Sequence, residues 1–126
     1  MKSVLRKRLK SFGFAFNGIR ELLRSQPNAR IHLGFTLVVA TAGFYLGLSR
    51  SEWSLVVIAM MLVWLAEAMN TALEFLADAA APEQHPLVAK AKDVAAGSVL
   101  IAAVGAVIIG LLVLGPHVLA MLEKVP

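Results

Sequence analysis

Glu67, Asn70, Glu74 and Asp78 follow one another at intervals of three, four and four residues. At about 100° per residue in a helix they fall within a sector of roughly 80°, so they share one face. Apart from Thr71 the residues between them are apolar, and no Gly or Pro interrupts the chain from Trp53 to about Ala80. If Trp53 marks the outer interface of a membrane helix, Glu67 lies about 21 Å and Glu74 about 31 Å further along, at 1.5 Å per residue. Glu67 is then inside the bilayer near its far surface, and Glu74 is at that surface. A carboxylate facing lipid at such a depth costs several kcal/mol, so it should point into a helix bundle and toward a partner. Carboxylates just below a membrane surface suit a particular chemistry: one can take a proton from a lipid hydroxyl, and another one or two turns away can hold Mg²⁺ carrying ATP phosphates. The plainer alternative is that Glu67 and Asn70 only join helices by hydrogen bonds. Asp78 by itself reads equally well as a solvated interfacial residue.

The elements that must position this stripe follow from hydropathy. Residues 4–24 place Leu5, Leu9, Phe12, Phe16, Ile19 and Leu23 at spacings of three and four, with basic residues largely on the other side. That predicts an amphipathic helix lying on the membrane surface, its basic face toward anionic headgroups. Ser25-Gln26-Pro27-Asn28 is expected to break it. Residues 31–48 carry no charge and are just long enough to span, 53–80 form the second span, and 87–114 the third. Gly115-Pro116 is expected to end the third, whose Gly97, Gly105 and Gly110 would let neighbouring helices approach closely.

Composition fits this layout. Of 126 residues, 59% are apolar and only 16% charged, more apolar surface than a soluble chain of this size could bury. Eight of the twelve Lys and Arg precede position 31, which places the basic N-terminus and the loop before Lys90 and Lys92 on the cytoplasmic side. The first apolar run begins too late for a cleaved leader, so the N-terminus is expected to stay in the mature protein. With no cysteine there is neither a disulfide nor a thiolate site. No GxxxxGK[ST] loop occurs, so phosphate binding would not use that device. The basic charge clusters beside apolar spans, which argues against nucleic acid as the partner.

Glu67-Ala68-Met69-Asn70-Thr71-Ala72-Leu73-Glu74, then Asp78, then Ala91-Lys92-Asp93-Val94-Ala95-Ala96-Gly97 resemble the signature of the small prokaryotic diacylglycerol kinase and undecaprenol kinase family. The similarity covers nearly the whole chain. It implies an all-α membrane protein, a surface helix followed by three transmembrane helices, assembled as a homotrimer with active sites shared between subunits. It implies a single lipid kinase domain over 1–126 that uses MgATP in the bacterial cytoplasmic membrane. By match to the motif, Glu67 would be the general base and Glu74 a metal ligand that also contacts nucleotide. Asn70 would position them, with Asp78 in support. Lys92 and Asp93, and the loop residues Glu83 and His85, fall where the family contacts nucleotide. Arg20 and Arg30 are candidates for positioning the lipid. Two positions depart from the family: Gln26 stands where a second metal-binding glutamate is usual, and Phe14 where some relatives carry tyrosine. A glutamine offers a carbonyl oxygen without charge, so metal binding would lean on Glu74. The texture of Asn28-Ala29-Arg30-Ile31-His32 and of the Asp-Val-Ala-Ala-Gly run favours undecaprenol over diacylglycerol as substrate.

Two other functions compete. A small multidrug-type transporter also depends on a membrane glutamate, but usually has four spans and carries it near the middle of the first. A purely structural membrane subunit leaves the aligned carboxylates without a purpose.

Overall fold

The computed structural model describes residues 2–81 and 85–124, and these form four helices: α1 (Lys2–Ser25), α2 (Pro27–Leu46), α3 (Arg50–Ala80) and α4 (Pro86–Leu122). The last three are long and apolar enough to cross a membrane. At 1.5 Å per residue α3 and α4 are roughly 46 and 55 Å long, so both overrun a hydrocarbon core of about 30 Å. The apolar surface is turned outward. Phe35, Val38, Phe44, Leu100, Ile101, Leu111 and Leu112 are all well exposed to whatever surrounds the chain. On α1, Leu9, Phe12, Phe16 and Ile19 are likewise more than half exposed, leaving the apolar face of this helix uncovered by protein. Both facts are those of a protein whose solvent is lipid.

The break between α1 and α2 is narrower than expected. Only Gln26 leaves helical geometry, and Pro27 opens α2 at a position where its missing amide hydrogen would have had no partner anyway. α2 ends at Leu46 because Gly47 adopts φ 70°, ψ 45°, a left-handed conformation that turns the chain and lets its amide bond the Phe44 carbonyl at 3.3 Å. α3 starts at Arg50, three residues before Trp53. Ser49 caps it: the Ser49 amide donates to Glu52 Oε2 at 2.7 Å, and the Glu52 amide donates to Ser49 Oγ at 3.3 Å.

The expected stop at Gly115-Pro116 does not occur, and α4 runs on through Pro116 to Leu122. Proline removes one hydrogen bond, to the Leu112 carbonyl, whereas ending the helix there would orphan several carbonyls next to apolar surroundings. The turn beyond it is also held from outside, since His117 Nε2 lies 2.8 Å from Glu52 Oε1 on α3.

Four contacts between helices set the register. Trp53 packs on Gly43, where an added Cβ would sit 2.9 Å from the indole. Trp64 Nε1 donates to Thr36 Oγ1 at 3.0 Å, so α2 runs antiparallel along α3. His117–Glu52 at one end and Lys92–Asp78 at the other align α4 antiparallel to α3. Leu48, Val56 and Val113 form a small buried core, with Val39, Trp53, Met60, Ile109 and Leu114 packed around it.

Candidate active site

The buried face of α3 is the face that carries the stripe. Val56, Ala59, Val63, Glu67, Asn70 and Thr71 are its buried residues. Glu67 is 1% exposed, the largest fully buried side chain among the described residues. One of its carboxylate oxygens, Oε2, is buried without a hydrogen-bond partner. Asn70, one turn on and 8% exposed, is in the same condition at Oδ1. Buried acceptors without donors are uncommon in folded chains and point to a donor supplied from elsewhere. His32, on α2, lies within electrostatic reach of the Glu67 carboxylate, as does Glu74.

Glu74 is half-buried at the far end of the stripe. Asn70 Nδ2 donates to its Oε1 at 3.0 Å, and Gln26 Nε2 approaches its Oε2 at 3.4 Å. The one-residue break between α1 and α2 is what brings Gln26 there, 48 residues away in sequence. Beyond it, Lys92 Nζ on α4 bonds Asp78 Oδ1 at 2.6 Å and is within electrostatic reach of Glu74. The stripe thus runs from the buried Glu67 and Asn70 to the half-buried Glu74 and the exposed Asp78, where Gln26 and Lys92 come in from neighbouring elements.

Other residues singled out from the sequence stand apart. Asp93 is exposed beside Lys92. His85 caps α4, its Nδ1 accepting from the Leu87 amide at 3.2 Å. Arg20 and Arg30 are exposed and make no hydrogen bond or ion pair among the described residues. Phe14 is exposed on α1. Glu83 lies outside the described residues. In the sequence His32 stands out only within the Asn28–His32 stretch. That it comes within electrostatic reach of Glu67 depends on how α2 packs on α3, which no local pattern encodes.

Among the described residues no three His, Cys, Asp or Glu side chains converge to form a metal site. Mg²⁺ does not require one, because it is commonly held by one or two carboxylates together with substrate phosphates. Rotating the Gln26 carboxamide would set its carbonyl oxygen beside the Glu74 carboxylate, so the pair fits a phosphate-bound magnesium ion.

The model of the family described as prokaryotic diacylglycerol kinase matches residues 13–114. The chain belongs to that family. Among its relatives, an undecaprenol kinase from Bacillus subtilis is 36% identical over 115 residues, covering 91% of this chain and 94% of that protein. A diacylglycerol kinase from Synechocystis is 37% identical over 115 residues, 90% of this chain and 66% of the relative. The diacylglycerol kinase of Escherichia coli K12 is 28% identical over 109 residues, 86% and 89% of the two chains. The match begins inside α1 and ends near the close of the apolar part of α4, so this small membrane kinase carries the whole stripe, Gln26 and Lys92 within the family's extent.

Proposed function

We propose that this lipid kinase transfers the γ-phosphoryl group of ATP to the hydroxyl of a membrane lipid alcohol, with undecaprenol the preferred class and diacylglycerol second. The observation that carries the proposal is the pair of partnerless oxygens on Glu67 and Asn70, buried one turn apart. A lipid hydroxyl brings one donor, so its arrival would satisfy one of these two acceptors and relieve a cost of about 1–3 kcal/mol.

In this scheme Glu67 accepts the hydroxyl proton as the lipid oxygen bonds to the γ-phosphorus. The bond from that phosphorus to the bridging oxygen breaks, and ADP leaves with the electron pair. Asn70 has two tasks: its carbonyl faces the substrate side and its amide holds Glu74 in place. Glu74, with the Gln26 carbonyl, would hold Mg²⁺, which bridges and partly neutralises the phosphates when bound. Lys92 offers a cation to the same phosphates, aimed by Asp78, with Asp93, His85 and Glu83 in its neighbourhood along the chain. Arg20 and Arg30 would meet headgroups at the surface.

The basic N-terminus supports a cytoplasmic location for α1 and for the loop before α4, which puts the stripe where ATP is available. A half-buried Glu74 on an outer edge supports a homotrimer in which neighbouring subunits complete the site. The greater coverage of the Bacillus undecaprenol kinase supports the polyprenol. Family membership leaves the transporter alternative without support. The test is purified protein in mixed micelles with MgATP and either lipid. Undecaprenyl phosphate formed faster than phosphatidate agrees with the proposal, and absence of both products refutes it.

A further inference from the structure

Each phosphoryl transfer leaves the lipid's hydroxyl proton on Glu67, and the carboxylate must lose it before the next. Glu67 is 1% exposed and has almost no contact with the surroundings. Its Oε2 has no hydrogen-bond partner along which the proton could leave. A proton acceptor therefore has to come from a neighbouring side chain.

On α3 none is free for the task. The Thr71 hydroxyl donates to the Glu67 carbonyl at 2.9 Å, and the Asn70 carboxamide has no basic nitrogen. Glu74 is within electrostatic reach, but Asn70 engages its Oε1 and Gln26 its Oε2, and a magnesium ion would claim the same oxygens. On α4 the Glu52–His117 and Asp78–Lys92 pairs align Glu67 with Ala102 and Ala103, which offer nothing.

On α2 there is His32. The bond from Trp64 Nε1 to Thr36 Oγ1 at 3.0 Å fixes α2 against α3. His32 lies one turn from Thr36 on the same side of α2, about 6 Å nearer the cytoplasmic end, and Glu67 lies one turn from Trp64, about 4.5 Å nearer that end. The two residues thus stand at almost the same depth on helices that pack together. His32 is within electrostatic reach of the Glu67 carboxylate and makes no hydrogen bond among the described residues. It is half-buried and borders the cavity between α2, α3 and α4 together with Thr36 and Val63. The start of α2 at Pro27 is five residues away, about 8 Å, so the imidazole is close to the cytoplasmic surface.

We propose that His32 is the proton acceptor that returns Glu67 to its charged form after each phosphoryl transfer and then releases the proton to water at the cytoplasmic end of α2. The proposal rests on the reading of Glu67 as the base. In the transfer step the lipid O–H bond breaks, its proton bonds to the Glu67 carboxylate, and the oxygen bonds to the γ-phosphorus. In the following step the proton leaves Glu67 for the lone pair of the neutral imidazole, giving a carboxylate and an imidazolium. The imidazolium then gives one proton to water, and both side chains are as they began. No further reactant is needed. Imidazole suits this task because it titrates near neutrality and can take and give up a proton within one cycle. The intermediate pair is also mutually stabilised, as charges at membrane depth must be.

Quenched-flow measurement of undecaprenyl phosphate formation in mixed micelles separates the two steps. In His32→Gln the first turnover is expected at the wild-type rate, because the base begins ready to accept a proton. Later turnovers are expected to slow roughly a hundredfold, the lower end of acid–base effects, so the product appears as a burst of a single turnover. His32→Ala should behave alike, and imidazole added to the micelles should speed its later turnovers without changing the first. A first turnover slowed as much as the later ones would assign His32 to binding or packing and overturn the proposal. Wild-type steady-state rates in both variants overturn it too, as does a His32→Ala protein indifferent to imidazole. Wild-type protein that phosphorylates no lipid alcohol would defeat the kinase reading itself, whereas these failures in the His32 variants leave that reading standing.

Discussion

Asn70 donates to Glu74 at 3.0 Å while its own carbonyl oxygen stays buried and unpartnered. This side chain thus sits between two of the stripe's three carboxylates, Glu67 a turn before it and Glu74 a turn after. The amide end is committed to the outer carboxylate and the carbonyl end is free for an incoming donor. A lipid hydroxyl and a magnesium-bound phosphate would meet on either side of it, one at membrane depth and the other at the surface.

Gln26→Glu should restore a second carboxylate at the position where it now approaches Glu74 at 3.4 Å. Without metal two like charges would face each other there, and with Mg²⁺ both would be neutralised. Activity is expected to saturate at lower Mg²⁺, and the thermal midpoint in detergent to become more dependent on the metal than in the wild type. Identical magnesium titration curves for the two proteins would remove Gln26 from the site.

Lys92→Ala should raise the KM for ATP with a smaller effect on kcat. Its bond to Asp78 is exposed, and such pairs contribute little to stability, so the melting temperature should hardly move. Steady-state kinetics at varied ATP, alongside thermal unfolding, separates these effects. A fall in melting temperature without a change in KM would make the pair structural.

Gly43→Ala tests the packing that orders α2 against α3. The added methyl would meet the Trp53 ring at 2.9 Å and Leu48 at 3.0 Å. Overpacking of this kind costs about 1–3 kcal/mol. Thermal unfolding in detergent should show the loss, and activity at low temperature should persist, because Trp53 is fourteen residues from Glu67.

Much of this architecture is legible from local pattern. The stripe on α3 follows from spacing alone; the first and third spans follow from uncharged runs and the second from an apolar stretch without Gly or Pro. That Glu67 turns inward follows from the cost of facing lipid, and it is 1% exposed. Gly115-Pro116 misleads because the turn rule it invokes assumes water ready to take up freed carbonyls, and α4 continues through it. The pairings Gln26 with Glu74 and His117 with Glu52 join separate elements. Periodicity describes one helix at a time, so such contacts appear only once the helices are packed.

The central claim is that Glu67 removes the proton from a lipid hydroxyl, and Glu67→Gln tests it with almost no change of shape. The decisive measurement is the rate of lipid phosphate formation by Glu67→Gln and wild-type protein in the same micelles, together with MgATP affinity. The account predicts a fall of at least about a hundredfold in kcat, the lower bound typical of general base catalysis, with nucleotide affinity largely retained. Equal turnover by the two proteins would contradict it.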